Sequence, residues 1–299
     1  MLNKSFSIVI PCFNSEKYII HALNSIIDCN YPLENIEVLI VDDGSTSKDN
    51  LYEIVENFLM KYPETFKFYR KENGNWGSVI NYVREKKLIN NDLVCILDSD
   101  DKFKPCFFHV VNNEINDADI FLGSFELVNK NFKKILKVKP YLFNRKVVTS
   151  SKKYTSFTFP GSTVYRKEIF YSNIKLAEGH SFQDFPFFFS ALKISNKIIW
   201  TKKIISSYWK SRKGNSMSSA WNNKKINDWI VSFDTLEKNN IEKYFFWVFL
   251  QKGSFRAFRK RKITLKIKEK PSFEWAPFWL RWFFYLYWFF VLKKIMKIT

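Results

Sequence analysis

The sequence predicts an α/β fold, a mostly parallel sheet flanked by helices, followed by a basic, aromatic C-terminal helical segment. Three observations lead there. Short apolar runs alternate with stretches of helical period over the first 130 residues, two of those runs end in acidic clusters, and the charge balance changes sharply halfway along the chain. Apolar strands separated by helices indicate a parallel sheet covered on both faces.

The elements follow in order. Phe6–Ile10 reads as a buried strand stopped by Pro11, and Ser15–Ile27 carries Tyr18, Ile19, Ala22, Leu23, Ile26 and Ile27 at the 3.6-residue period of a helix. Ile36–Val41 is the second strand. Ser45 or Thr46 is expected to cap the next helix, whose apolar face is Leu51, Ile54, Val55, Phe58 and Leu59. Phe66–Tyr69 is the third strand, Trp76–Lys87 a helix, and Leu93–Leu97 the fourth strand.

At 299 residues the chain is long enough for two domains of ~150 residues. With 46% hydrophobic and 26% charged residues it is neither disordered, collagen-like nor a multi-spanning membrane protein. Residues 1–150 hold 19 Lys and Arg against 20 Asp and Glu, a balance of −1, whereas residues 151–299 hold 29 against 9, a balance of +20. The second half is therefore expected to face something anionic, nucleic acid or a lipid surface. Cys12, Cys29, Cys95 and Cys106 form no C-x-x-C pair and have no histidine cluster beside them, which excludes a zinc site and points to reduced cytosolic thiols. Only Met1–Phe6 lie ahead of the rest of the apolar run that meets Pro11, too little for a signal peptide, so the chain is expected in the cytoplasm.

In a parallel sheet, ligands bind beyond the carboxyl ends of the strands. There the second strand runs into Asp42-Asp43-Gly44-Ser45 and the fourth into Asp98-Ser99-Asp100-Asp101. Either cluster alone reads equally as a turn with a helix cap. Five carboxylates brought together would repel one another, a cost that a divalent cation removes. Mg2+ or Mn2+ takes oxygen ligands and is usually held by one or two carboxylates plus substrate phosphates, so a nucleotide diphosphate is the natural ligand. Neither a P-loop nor a dinucleotide fingerprint is present to compete.

Four segments in order, Ser7–Asn14, Val41–Thr46, Asn73–Asn81 with its two glycines, and Ile96–Asp101, resemble the inverting glycosyltransferases of family 2, which have the Rossmann-like GT-A fold. The resemblance implies that Pro11, Phe13 and one of Asp42 and Asp43 cradle the nucleoside, with Asp43 the first choice for the base. It places Asp98 near the ribose or sugar and Asp100 on the metal. Asp101 reads alternatively as the cap of a helix near Lys104–Ile115. Pro160–Arg166 looks like the family's glycine-bearing loop before a strand and a short helix, near the acceptor.

Glu178–Phe189 resembles the segment whose acidic residue opens a helix and acts as catalytic base. Most members carry Glu-Asp there; this chain has Gln183-Asp184, so the base role passes to Asp184 alone, with Glu178 in reserve, His180 as a structural or acceptor contact, and a plain helix cap as the alternative. Lys210, Arg212 and Lys213 follow the last strand and are candidates to close over the diphosphate, or are solvated surface charges.

Residues 252–270 hold nine basic residues and one acid, and an aromatic run from Trp275 to Leu292 follows. Arg281 leaves an uninterrupted stretch of 11 residues, short of the ~20 that span a bilayer. With Trp and Tyr favouring the interface, the segment reads as lying on an anionic leaflet. A core helix and a dimer interface are the alternatives.

The sequence thus divides into a GT-A catalytic domain at 1–213, with a nucleotide-sugar half at about 1–125 and an acceptor half at about 126–213, and a membrane-associating region at 214–299. The expected activity is transfer of a hexosyl or N-acetylhexosaminyl group from a nucleotide-sugar donor, taken as UDP-linked, to a glycan or lipid-linked acceptor in cell-surface polysaccharide or lipooligosaccharide synthesis. Mn2+ or Mg2+ is the cofactor, and no nucleic acid takes part. The rival readings are a nucleic-acid-binding protein and a non-catalytic sugar-nucleotide-binding module.

Overall fold

The computed structural model describes residues 3–46, 50–129, 131, 133–139, 147–148, 159–210 and 222–235, with two short strands at 265–267 and 296–298. Its first unit is β1 (Phe6–Cys12), α1 (Ile19–Ile27), β2 (Ile36–Asp43), α2 (Leu51–Lys61), β3 (Phe66–Lys71), α3 (Asn75–Glu85) and β4 (Leu93–Ile96). Next come β5 (Lys102–Phe103), α4 (Phe107–Glu114), β6 (Ile120–Val128), β7 (Lys134–Val138) and β8 (Val147–Val148). β9 (Thr163–Arg166), α5 (Lys167–Phe170), α6 (Asp184–Ile194), β10 (Ile198–Trp209) and α7 (Asn223–Thr235) follow, and β11 (Leu265–Ile267) and β12 (Met296–Ile298) pair as a separate two-stranded sheet.

Strand order in the main sheet is β3-β2-β1-β4-β9-β6-β10-β5, with β7 on β6 and β8 on β10. β1, β2, β3 and β4 are parallel, and β9 runs antiparallel between β4 and β6. The order reverses at β1 and β4, and a sheet opens its ligand crevice at such a switch point. The continuous apolar character of the strands has a direct cause. Val9, Leu39, Val41, Val94 and Ile96 pack on one face of the sheet, while Phe6, Ile8, Ile10, Val38, Ile40, Leu93 and Cys95 pack on the other.

Three local expectations are corrected. The cap of α2 is Asn50, whose side chain accepts from Tyr52 N at 3.1 Å; Ser45 is committed instead to Asp42 and Asn14. α1 begins at Ile19, because Ser15 to Tyr18 form a turn in which Ser15 O accepts from Tyr18 N and Ile19 N. Asp101 does not cap a helix, since β5 intervenes and α4 starts at Phe107; the buried Asp101 carboxylate accepts from Trp209 N at 2.9 Å. Among the described residues no helix is long and apolar enough to cross a membrane.

Candidate active site

Four loops meet at the carboxyl ends of β1 to β4. The β1 loop is stitched to the β2 loop: Asn14 N donates to Ser45 Oγ at 2.9 Å, and Thr46 N donates to Asn14 Oδ1 at 2.8 Å. Asn14 adopts φ 49°, which asparagine tolerates better than most residues, and Phe13 beside it stands 47% exposed, large and apolar at the mouth of the crevice. Asp42 closes the β2 loop by accepting Ser45 N at 3.0 Å and Ser45 Oγ at 2.5 Å, and its other oxygen faces Arg70 Nε at 3.6 Å without a hydrogen bond.

Asp43 is the densest junction in the site. It accepts from Lys71 Nζ at 2.9 Å, Asn73 Nδ2 at 3.1 Å, Gly74 N at 3.0 Å and Asn75 N at 2.7 Å. A carboxylate at the first turn of α3 satisfies orphan N–H groups and meets the positive end of the helix dipole. Gly44, at φ +67°, permits this approach, since a Cβ there would lie 2.8 Å from Asn73 N.

Asp98 and Asp100 are half-buried in the turn after β4. Trp76, in the first turn of α3, donates its indole N–H to Asp98 Oδ1 at 3.1 Å, and Ser99 pairs with Ser15 through their hydroxyls at 2.7 Å. Burial pushes the Cys12 thiol far up, and the carboxylates of Asp42, Glu16, Asp98 and Asp100 add to the shift, so the end of β1 carries a concentrated negative field. Among the described residues, however, no three His, Cys, Asp or Glu side chains are arranged to hold a metal. The expected gathering of five carboxylates does not form. Asp42, Asp43 and Asp101 are drawn to their own loops and to Trp209, which leaves Asp98 and Asp100 at the crevice.

Asp184 opens α6 and is half-buried in an apolar crevice walled by Trp76, Ile96, Phe159, Tyr165, Phe187 and Phe188. Burial pushes its carboxyl up to about 7, partly offset by the N–H groups of Asp184 and Phe185. Gln183, not Asp184, occupies the cap position. Trp76 is thus hydrogen-bonded to Asp98 and lines the same crevice as Asp184. Burial, with Asp184 adding to it, holds the Tyr165 hydroxyl protonated.

Around this centre, Glu178 is exposed and accepts from Asn81 Nδ2 at 3.0 Å, and His180 Nδ1 lies 2.9 Å from Asp228 Oδ1. The Pro160–Ser162 turn leads into β9 and the short α5, as the sequence pattern anticipates. Lys210 is exposed at the end of β10, its N–H bonded to Val128 O, while Arg212 and Lys213 lie outside the described residues. So do the basic run from 252 apart from β11, and the aromatic run from Trp275 to Leu292. Lys71 and Trp76 escape the sequence reading as site residues; their only signal is that Trp76 lies within the glycine-bearing Asn73–Asn81 segment and Lys71 just before it.

Residues 7–173 match the model of glycosyl transferase family 2. The chain belongs to that family. A Mycoplasma pneumoniae protein called an uncharacterized glycosyltransferase, MG060 homolog, is 33% identical over 96% of both chains, and MG025 of Mycoplasma genitalium is 31% identical over 91% of this chain and 90% of its own. The minor teichoic acid biosynthesis protein GgaA of Bacillus subtilis is 25% identical over 80% of this chain and 55% of its own length. Among solved structures, TarS 1–349 of S. aureus in complex with UDP-GlcNAc superposes with a TM-score of 0.65 at 25% identity, covering 81% of this chain and 71% of that one. A mannosyltransferase from Pyrobaculum calidifontis, with GDP-Man and Mn2+, shares the fold at a TM-score of 0.59 and 13% identity, over 86% and 72% of the two chains. The GT-A fold and the family resemblance stand, and with them glycosyltransferase activity on a nucleotide-sugar donor.

Proposed function

We propose that this family 2 enzyme is a metal-dependent, inverting hexosyl- or N-acetylhexosaminyl-transferase that uses a UDP-sugar and a glycan or lipid-linked acceptor of the cell surface. The observation that carries the reading is the half-buried Asp184 carboxylate, raised to about 7 in an apolar crevice whose Trp76 wall also holds Asp98. An inverting transfer needs one positioned base near the working pH, and burial supplies that property. The similarity to a TarS structure holding UDP-GlcNAc and to a teichoic acid protein supports the donor and acceptor classes.

The roles follow from placement. Pro11 and the exposed Phe13 offer an apolar face to the nucleoside. Asp42 is fully buried, with Oδ1 closing its own loop and Oδ2 facing Arg70, so Asp43 stays the first choice of the two carboxylates to meet the base. Asp98, hydrogen-bonded by Trp76, is assigned to the ribose or sugar, and Lys210 and, two residues later in sequence, Arg212 are assigned to the diphosphate. The half-buried carboxylate of Asp100, in a negative field and built of hard oxygen, suits Mn2+ or Mg2+. Such a cation supplies charge neutralisation for the leaving diphosphate, which departs as an anion and needs no proton. Asp184 takes the proton of the acceptor hydroxyl as that oxygen bonds to the anomeric carbon and the bond to the diphosphate breaks, inverting the configuration.

The basic C-terminal region would hold the enzyme, as a monomer or a homo-oligomer, on the inner face of the plasma membrane.

 Pelleting with anionic vesicles, weakened when Arg259, Lys260, Arg261 and Lys262 are replaced by Ser, tests this placement; equal pelleting by the variant contradicts it. For the reaction, thermal stabilisation and turnover are measured against a panel of UDP-, GDP- and CMP-sugars with and without Mn2+. Stabilisation and UDP release by a UDP-sugar only when Mn2+ or Mg2+ is present are expected, and metal-independent turnover contradicts the role of Asp100.

A further inference from the structure

A buried polar contact joins the segment leading into α6 to helix α7, and the donor chemistry does not use it. Gln183 is fully buried; its Oε1 accepts from Ala177 N at 2.9 Å and its Nε2 donates to Ser232 Oγ at 3.0 Å. The Ser232 hydroxyl lies 2.8 Å from Asp228 O and 3.1 Å from Ser181 O, placed to donate to either. One residue along from Asp228, Trp229 stacks on Phe185 with ring centroids 5.5 Å apart and packs against Phe182 at 4.9 Å.

Lys225, Asp228, Trp229 and Ser232 recur at i, i+3, i+4 and i+7, so they share one face of α7, and all four are buried. Three of these side chains are polar, and a buried polar face persists only where it is matched by partners. The partners here are the 180–183 segment: His180 for Asp228, Gln183 for Ser232, and the Phe182 ring under Lys225 Nζ at 5.9 Å. The opposite side of the segment meets α3. Gly179 N donates to Gly74 O at 2.7 Å, and a Cβ on Gly77 would lie 2.9 Å from Gln183 Cγ.

We propose that Gln183 and Ser232 are positioning residues for the transfer: α7 presses the 177–183 segment against α3 and so fixes where the Asp184 carboxylate stands. The proposal rests on the reading of Asp184 as the base. It explains why this chain carries an amide before Asp184. Gln183 accepts and donates at once, whereas a carboxylate lacks the N–H and adds a second charge beside Asp184 in the same low-dielectric site. It also gives α7, which lies beyond the residues matched by the family model, a share in the active site.

The test uses the full chain and the UDP-sugar with the highest turnover in the panel above. Ser232→Ala is expected to lower kcat roughly 10-fold with the donor KM within about twofold, and the melting temperature falls because Gln183 Nε2 loses its acceptor; Ser232→Thr, which keeps the hydroxyl, restores kcat. In an Asp184→Asn background, Ser232→Ala is expected to cost nothing further. An unchanged kcat, or the same loss in both backgrounds, overturns the proposal. Full activity of Asp184→Asn alone overturns the base reading instead, and so separates the two failures. Hydrogen exchange provides a readout independent of turnover: amides 177–187 should exchange faster in Ser232→Ala and in Gln183→Met, and unchanged protection in both contradicts the clasp.

Discussion

Trp76 donates its indole N–H to Asp98 Oδ1 at 3.1 Å, while its ring lines the crevice that holds Asp184. One side chain from the first turn of α3 thus spans the proposed donor side and the proposed base side of the site. Trp76→Phe keeps an aromatic ring near Phe187 and removes the indole N–H together with part of the ring. A hydrogen bond to a charged group contributes about 1.5–3 kcal/mol. The donor KM should therefore rise roughly 10-fold or more with little change in melting temperature, and an unchanged KM would show that the orientation of Asp98 is irrelevant to donor binding.

Asp43 is expected to act first on stability. Asp43→Ala leaves Lys71 and the first N–H groups of α3 without their acceptor, and breaking a buried ion pair costs about 3–5 kcal/mol. A melting temperature lower by roughly 6 °C or more is expected. If the midpoint moves by less than about 2 °C, the α3 cap is not held by this carboxylate.

Gly44→Ala would strain a residue at φ +67° and drive its Cβ to 2.8 Å from Asn73 N, a backbone atom that has little room to yield. A loss of about 1–3 kcal/mol in chemical denaturation is expected. Gly179→Ala, at φ +77° with no atom within 4 Å of the added Cβ, should cost less, because only the backbone conformation is penalised. Equal losses would contradict the close approach of the two loops.

The raised carboxyl of Asp184 also fixes a pH dependence. Its folded value of about 7 lies above the ordinary value of ~3.9, so the folded state binds the proton more tightly than the unfolded chain. Stability is then lost as pH rises from about 4 to 7, and the cost is complete above 7. Asp184→Asn removes that cost, so the variant should melt higher than the parent at pH 8 and close to it at pH 4 in the same buffer system. A gain confined to acid pH would reverse the sign and contradict the burial of the charged form.

The four parallel strands and the intervening helices were legible because each carries its own period and because both sheet faces are apolar. β5 was not, and β9 was legible only as a strand after the Pro160 turn and not as the antiparallel partner of β4 and β6, since these pairings depend on Phe103 meeting Ser206 and on Val164 lying between Cys95 and Phe121, contacts fixed by residues far apart in sequence. The acidic clusters were legible as the ends of β2 and β4. Their division of labour was not, because the donors that claim Asp43 and Asp101 are Lys71 and Trp209, 28 and 108 residues away. The same limit hid the use of Gln183, whose partner Ser232 lies 49 residues on.

The most direct test of the account is transfer by Asp184→Asn measured beside its donor affinity. The account predicts donor binding within about twofold of the parent and transfer reduced 10²–10⁴-fold, because a neutral amide cannot take the acceptor proton. Transfer within a few-fold of the parent at unchanged donor affinity would contradict it.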